Sequence, residues 1–130
     1  MSRALVVTGD PTAAILGLLP AIIARVPDLA GFTVGTEIPP GVTPERFIRV
    51  DSVGELEYEA TGIVEADLRI QIWVTGDEFR QSVARQLMAH LRASARAQIV
   101  SGPVNLPDPV NPTTLLTQFT ASLLVKGTQA

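Results

Sequence analysis

Six of the thirteen carboxylates, the side chains best suited to acid–base or metal chemistry, fall in one stretch. Asp51, Glu55, Glu57, Glu59, Glu65 and Asp67 lie between Arg49 and Arg69 with no basic residue among them. Such a cluster is open to three readings. A pair of carboxylates at the right separation could act as acid and base on a glycosidic bond. Several together could hold calcium, although their spacing does not follow the EF-hand pattern. The third reading is a solvated acidic loop, in which like charges spread apart, and general experience with charge runs favours it.

Other chemistry finds little support. His90 is the only histidine and there is no cysteine. Thiolate nucleophiles, disulfides and cysteine zinc sites are therefore excluded, and a lone histidine makes a poor transition-metal site. His90 falls near the border of an apolar helix face, where a packed or half-exposed residue is the ordinary expectation. No Gly-x-Ser-x-Gly elbow accompanies it to suggest a serine nucleophile. Gly31, Gly35 and Gly41 are isolated and make no phosphate-binding loop.

These residues must be positioned by ordinary elements. Asp10-Pro11-Thr12 is a helix start, with Asp10 as N-cap and Pro11 in the first turn. Ile15, Leu18, Leu19, Ile22, Ile23 and Val26 follow at helical spacing, and Pro27 and Gly31 end the run. Pro20 is a point where this helix kinks or restarts. Arg25 is its only charged residue, which suggests cover on both sides. Met1 to Gly9 reads as a loose lead or short extended piece. Phe32 to Ile38 reads as a strand, and Pro39-Pro40-Gly41 with Pro44 forces a turn. Arg46 to Val50 is a second strand, and Ser52 to Val64 is a loop or a hairpin extension.

The clearest pattern is Glu65 to Thr75. Ala66, Leu68, Ile70, Ile72 and Val74 alternate with Asp67, Arg69, Gln71, Trp73 and Thr75, the mark of a half-buried strand. Trp73 stands on the polar register. It either covers the underside of the sheet or anchors an interface, where tryptophan is enriched.

Asp77 is positioned to cap a second helix over about Glu78 to Ala97. Phe79, Val83, Leu87 and Leu91 form its apolar ridge, with Ala84, Met88 and Ala95 beside it. Gln81, Arg85, Arg92 and Arg96 lie opposite, either as a wet face or as a surface for carboxylates or phosphates. Ile99 to Pro109 is rich in turn residues, with a short strand at Val104-Asn105-Leu106. A last strand runs from Leu115 to Lys126, with Thr117, Phe119, Ala121, Leu123 and Val125 on one face.

The expected architecture is a single α+β domain over residues 1–130. It has a mixed, mainly antiparallel sheet of four to five strands, with two helices packed on one face. At 130 residues and 46% hydrophobic content the chain can bury a core unaided. Charged residues are only 18%, which points to surface hidden in contacts with other chains. A net charge of −3 argues against binding nucleic acid by phosphate neutralisation. Ala13 to Val26 is too short to span a bilayer. The expectation is a soluble protein made in the cytoplasm, with no membrane partner and no cofactor.

Several phrases in this order resemble the tail terminator proteins of long-tailed phages. They are Pro44-Glu45-Arg46-Phe47-Ile48-Arg49-Val50-Asp51, Asp67-Leu68-Arg69-Ile70-Gln71-Ile72-Trp73-Val74, Gly102-Pro103-Val104 with Pro107-Asp108-Pro109, and a last strand ending near Lys126-Gly127. The likeness spans nearly the whole chain. It is similar to terminators of phages with actinobacterial hosts and more distantly to the phage lambda tail terminator. The resemblance implies a non-catalytic virion protein at the tail–head junction. It would form a ring, usually a hexamer, that ends tail-tube polymerisation and offers its other side to the head connector, with DNA only passing through its lumen. On that reading Glu55, Glu57, Tyr58 and Glu59 are candidates to face the tube or lumen, and Trp73, Arg85, Arg92 and Arg96 to form the subunit interface. The alternatives are another head-to-tail connector (a head-closure or tail-completion protein), a small hydrolase using the acidic stretch, and a plain ligand-binding module.

Overall fold

The computed structural model describes residues 10–38, 45–58, 63–95, 97–108 and 114–126, with backbone alone at 55–58, 64 and 126. The first helix, α1 (Pro11–Arg25), starts as the sequence suggests. Asp10 Oδ1 accepts from the backbone N–H of Thr12 at 3.0 Å and of Ala13 at 3.3 Å. These bonds satisfy donors that a helix start otherwise leaves open. Pro20 neither breaks nor restarts the helix, and it lies on the exposed side. A short 3-10 turn (Pro27–Leu29) leads to β1 (Thr33–Gly35), shorter than the expected Phe32 to Ile38. The proposed turn at Pro39-Pro40-Gly41 and Pro44 and the lead from Met1 to Gly9 lie outside the described residues.

The next two strands, β2 (Phe47–Tyr58) and β3 (Ile63–Trp73), form a long antiparallel hairpin. Of the two readings for Ser52 to Val64, the described part is the hairpin extension. A bulge between Ser52 and Gly54 shifts the pairing by one residue, so Glu55 stands opposite Ala66 and Leu56 opposite Glu65.

The second helix, α2 (Asp77–Ala95), begins one residue before the expected start. The Gly76 carbonyl accepts the Arg80 backbone N–H at 2.9 Å, so Gly76 takes the capping position assigned to Asp77. Gly76 has φ +98°, a conformation that glycine adopts without a side-chain clash. Two further strands, β4 (Gln98–Pro107) and β5 (Leu115–Lys126), complete the sheet.

The strand order is β1-β2-β3-β5-β4, with β1 parallel to β2 and every other pair antiparallel. This is the α+β arrangement the sequence indicates, with five strands. Both helices lie on one face. Ile15, Leu19 and Ile22 of α1 and Val83, Leu87 and Leu91 of α2 join Ile48, Val50, Leu68, Ile70, Ile72, Phe119, Ala121 and Leu123 in one core. The alternation read in β3 and β5 is therefore the core register.

The longest correction concerns β4. The turn-rich stretch from Ile99 is mostly strand, because its turn residues are absorbed at two register shifts against β5. Gly102, with φ +91°, lies at the second shift. A Cβ there would fall 2.6 Å from the Gln118 carbonyl oxygen and 2.8 Å from Phe119 Cα. Gly102 is thus a close approach of one backbone to another within the sheet.

Candidate functional site

The sheet face turned away from the helices carries a network of polar side chains. Rows of directly opposed residues cross its strands. Arg49, Gln71 and Gln118 make one row. Arg49 Nη1 donates to Gln71 Oε1 at 3.0 Å, and Gln71 Nε2 donates to Gln118 Oε1 at 3.0 Å. Arg49 Nε also donates to the Thr36 carbonyl at 2.9 Å, tying the row to the segment after β1. Gln71 is buried in this arrangement, with both ends of its amide engaged.

Asp51, Arg69 and Thr120 make the next row. Arg69 donates to both carboxylate oxygens of Asp51, through Nε at 3.0 Å and through its second terminal nitrogen. Arg49 stands 3.6 Å from the same carboxylate. The hydrogen bonding of Arg69 to the Asp51 carboxylate raises the Arg69 pKa above the usual arginine value; partial burial works against this, and the Asp51 charge adds to it. Asp51 is therefore tied into an arginine pair.

The acidic stretch divides accordingly. Ser122 Oγ donates to Glu65 Oε1 at 3.3 Å, which holds Glu65 to the neighbouring strand. Glu55, Glu57 and Tyr58 belong to the β2 ladder, in register with Ala66, Val64 and Ile63; their side chains lie outside the description, as does the whole of Glu59. Among the described residues, no group of three or more His, Cys, Asp or Glu stands close enough to hold a metal ion.

Trp73 resolves its two readings in favour of cover. It is 1% exposed, so within the chain it has no surface left to anchor a neighbouring subunit. It stands directly opposite Phe47, with ring centroids 5.8 Å apart, and packs with Leu116 and the half-buried Ile38 and Leu106. Its Nε1 donates to Asp108 Oδ2 at 3.0 Å. The reason a tryptophan stands on this register is local. At this end of the sheet the open face has its own small apolar cluster, so the polar register becomes a second interior.

The helix arginines separate by position. Arg85 and Arg92 are exposed on α2, and Arg96 lies outside the described residues. His90 is half-buried at the edge of the apolar ridge, as its position in the helix suggests. Arg80, which the sequence reading passed over, is buried. It donates to Thr117 Oγ1 at 2.8 Å, to the Val74 carbonyl at 3.0 Å and to the Asp77 carboxylate. Thr117 in turn donates to Asn105 Oδ1 at 2.7 Å, which also accepts from Gln81 at 3.0 Å. This network fastens the first turn of α2 to β5 and β4. The signal was available, since Arg80 shares the stripe of Val83, Ala84, Leu87 and Leu91, and Asp77 stands three residues before it.

Arg46 shows a different use of the guanidinium. It holds a left-handed backbone with φ 47°, donates to the Ala30 carbonyl at 3.0 Å, and lies over the rings of Phe32 and Phe79 at 5.6 and 5.8 Å. These contacts offset a strained conformation at the entry to β2. It borders a depression of about 280 Å³ shared with Glu45, Val74, Thr75 and Phe79. A second depression of about 490 Å³ runs along Asp77, Glu78, Gln81, Arg85 and Asn105. Both are open to the surface. The chain thus offers broad faces and edges: a hydrogen-bonded polar plane, a hairpin rich in carboxylates, and an outer strand with exposed valines.

No known family model matches the sequence. No curated protein matches it either. Among the described residues, no helix is long and apolar enough to cross a membrane.

Proposed function

We propose that this protein is a structural component of a long-tailed phage, a tail terminator that assembles as a ring, a hexamer, at the head-proximal end of the tail tube. It stops tube polymerisation there and joins the tail to the head connector. The work is done by shape and charge toward its own copies, the tube protein and the connector, and it calls for no cofactor and no catalysis. It acts in the virion after assembly in the host cytoplasm, and DNA meets it only in passing through the lumen.

One observation carries the reading beyond the sequence resemblance. The sheet is finished by helices on one face and by a tied polar network on the other, so the chain presents pre-ordered surfaces. Preordering reduces the entropy lost on docking. A protein that must fit a tube ring on one side and refuse a further ring on the other needs surfaces of this kind. The carboxylates of the β2–β3 hairpin suit a position near the tube or lumen, where negative charge repels DNA phosphates.

Electron microscopy of particles assembled without the protein tests the role. Overlong tubes without heads are expected. Tails of normal length beside filled heads would instead assign it to head joining, and unchanged particles would remove it from the virion altogether. Replacing Glu55, Glu57 and Glu59 together by glutamine tests the hairpin. Altered tail length, head joining or infectivity is expected, and wild-type values for all three would release the hairpin from any contact role.

A further inference from the structure

The outermost strand of the sheet, β4, is finished unlike a free edge. Its ten residues, Gln98–Pro107, include no charged side chain, and Val100 and Val104 are 57% and 48% exposed. Strand edges left to solvent are commonly guarded by lysine or other charges, because unpaired N–H and C=O groups invite another strand. Among the described residues, the guards are the register shifts around Ser101 to Val104 and the prolines at 103 and 107, which lack a donor N–H. Between those prolines remains a window of three residues, Val104, Asn105 and Leu106, whose backbone N–H and C=O groups point alternately to β5 and to the outer edge.

The opposite end of the sheet is β1, also three residues long and also without charge. Among the described residues, β1 pairs with β2 alone. The Val104–Leu106 window and β1 therefore match in length and in the absence of charge, and they lie at opposite edges of the sheet. Two different patches on opposite sides generate head-to-tail assembly, which closes into a ring where the rotation allows; one patch meeting its own copy would stop at a dimer.

Resting on the ring reading above, we infer that the Val104–Leu106 window of β4 docks against β1 of a second copy of this chain, so that the sheet continues from subunit to subunit. The exposed Val104 then becomes part of the covered contact, and the outward backbone groups of the window and of β1 find partners.

Cysteine pairing tests this on the purified protein at high concentration and on tube ends that it has capped. Thr33 and Val104 are both exposed. Thr33→Cys and Val104→Cys chains, mixed and mildly oxidised, are expected to link to each other. A chain carrying both changes is expected to give a ladder of covalent multimers. Val104→Lys is expected to weaken self-association at least tenfold by sedimentation while leaving the far-ultraviolet circular dichroism unchanged. Dimers from Val104→Cys alone would overturn the inference in favour of symmetric edge pairing. Multimers by sedimentation without any Thr33–Val104 link, in solution or on tubes, would overturn the docking mode and leave the ring standing. A chain that stays monomeric at every concentration and caps no tube would overturn both.

Discussion

The helix-covered face of the sheet is held by packed hydrocarbon, and the open face by hydrogen bonds between opposed side chains. On the covered side Ile48, Val50, Leu68, Ile70 and Ile72 are all buried under α1 and α2. On the open side Arg49, Gln71, Gln118, Asp51 and Arg69 remain mostly half-exposed and satisfy one another across three strands. The same backbone ladder supports both. The difference teaches where stability and where recognition reside. Burial is worth about 25 cal/mol per Å² and has little directionality. Exposed polar pairs contribute little energy, and what they fix is side-chain geometry.

That division can be broken most sharply on the covered face. Ile70→Ala removes a side chain that is 1% exposed at the centre of β3. A loss of about 2–5 kcal/mol in unfolding free energy is expected by denaturant titration. A loss below about 1 kcal/mol would mean that this face is not the structural core. Gly102→Ala comes next. It places a methyl against the β5 backbone and an alanine at φ +91°, so destabilisation of about 2 kcal/mol or more is expected in the same assay.

Trp73→Phe probes the place where the two faces converge in character. It removes the donor to Asp108 and part of the contact with Phe47 and Leu116. A cost of roughly 1–3 kcal/mol is expected, because a hydrogen bond is lost inside a buried cluster. Near-zero cost would return Trp73 to the surface role that its register suggested.

The smallest effect is expected at Arg69→Lys, which exchanges a two-pronged grip on Asp51 for a single point of contact. Solvent screens this half-exposed pair, so a change of about 1 kcal/mol or less is expected. The pH dependence follows from the direction of the shift. Arg69 is raised by its bond to Asp51. A base raised on folding contributes its stability in full below the unfolded pKa, and that stability is lost as pH climbs through the folded value. For arginine this window is strongly alkaline. The wild-type and Arg69→Lys chains are therefore expected to differ by the same amount at pH 6 and pH 9. A difference that varied between those values would show that another group controls the pair.

Much of the fold is legible in the chain because two periodicities are unbroken. Ala66 to Ile72 and Thr117 to Val125 keep a strict alternation, and Val83 to Leu91 keeps a helical stripe. Each pattern corresponds to one buried face. Asp10 was readable because a cap acts within three residues. The failures have local physical causes. β4 was hidden because Gly102 and Pro103, ordinary turn residues, are used inside a strand at a register shift. The cap of α2 moved from Asp77 to Gly76 because Asp77 is engaged by Arg80. The candidate site is less legible than the fold. The tie between Asp51 and Arg69 depends on strand register, which sequence spacing alone does not give. Arg80 departs from the ordinary rule that a charged side chain faces water, because hydrogen bonds from all three of its guanidinium nitrogens make its burial tolerable.

The one-residue irregularity at Ser52 to Gly54 has an effect on the acidic arm of the hairpin. Continuing the ladder from Ser52 opposite Leu68 without a skip would bring Glu55 opposite Glu65. Carboxylate would then meet carboxylate across the rungs, an arrangement that pushes paired strands apart. The inserted step moves Glu55 to Ala66 and gives Glu65 the apolar Leu56 as its counterpart. The extra residue, Val53, thus keeps the negative charges of the arm staggered between the two strands; drawing Val53 itself into the ladder opposite Asp67 would slide Glu55 onto Glu65.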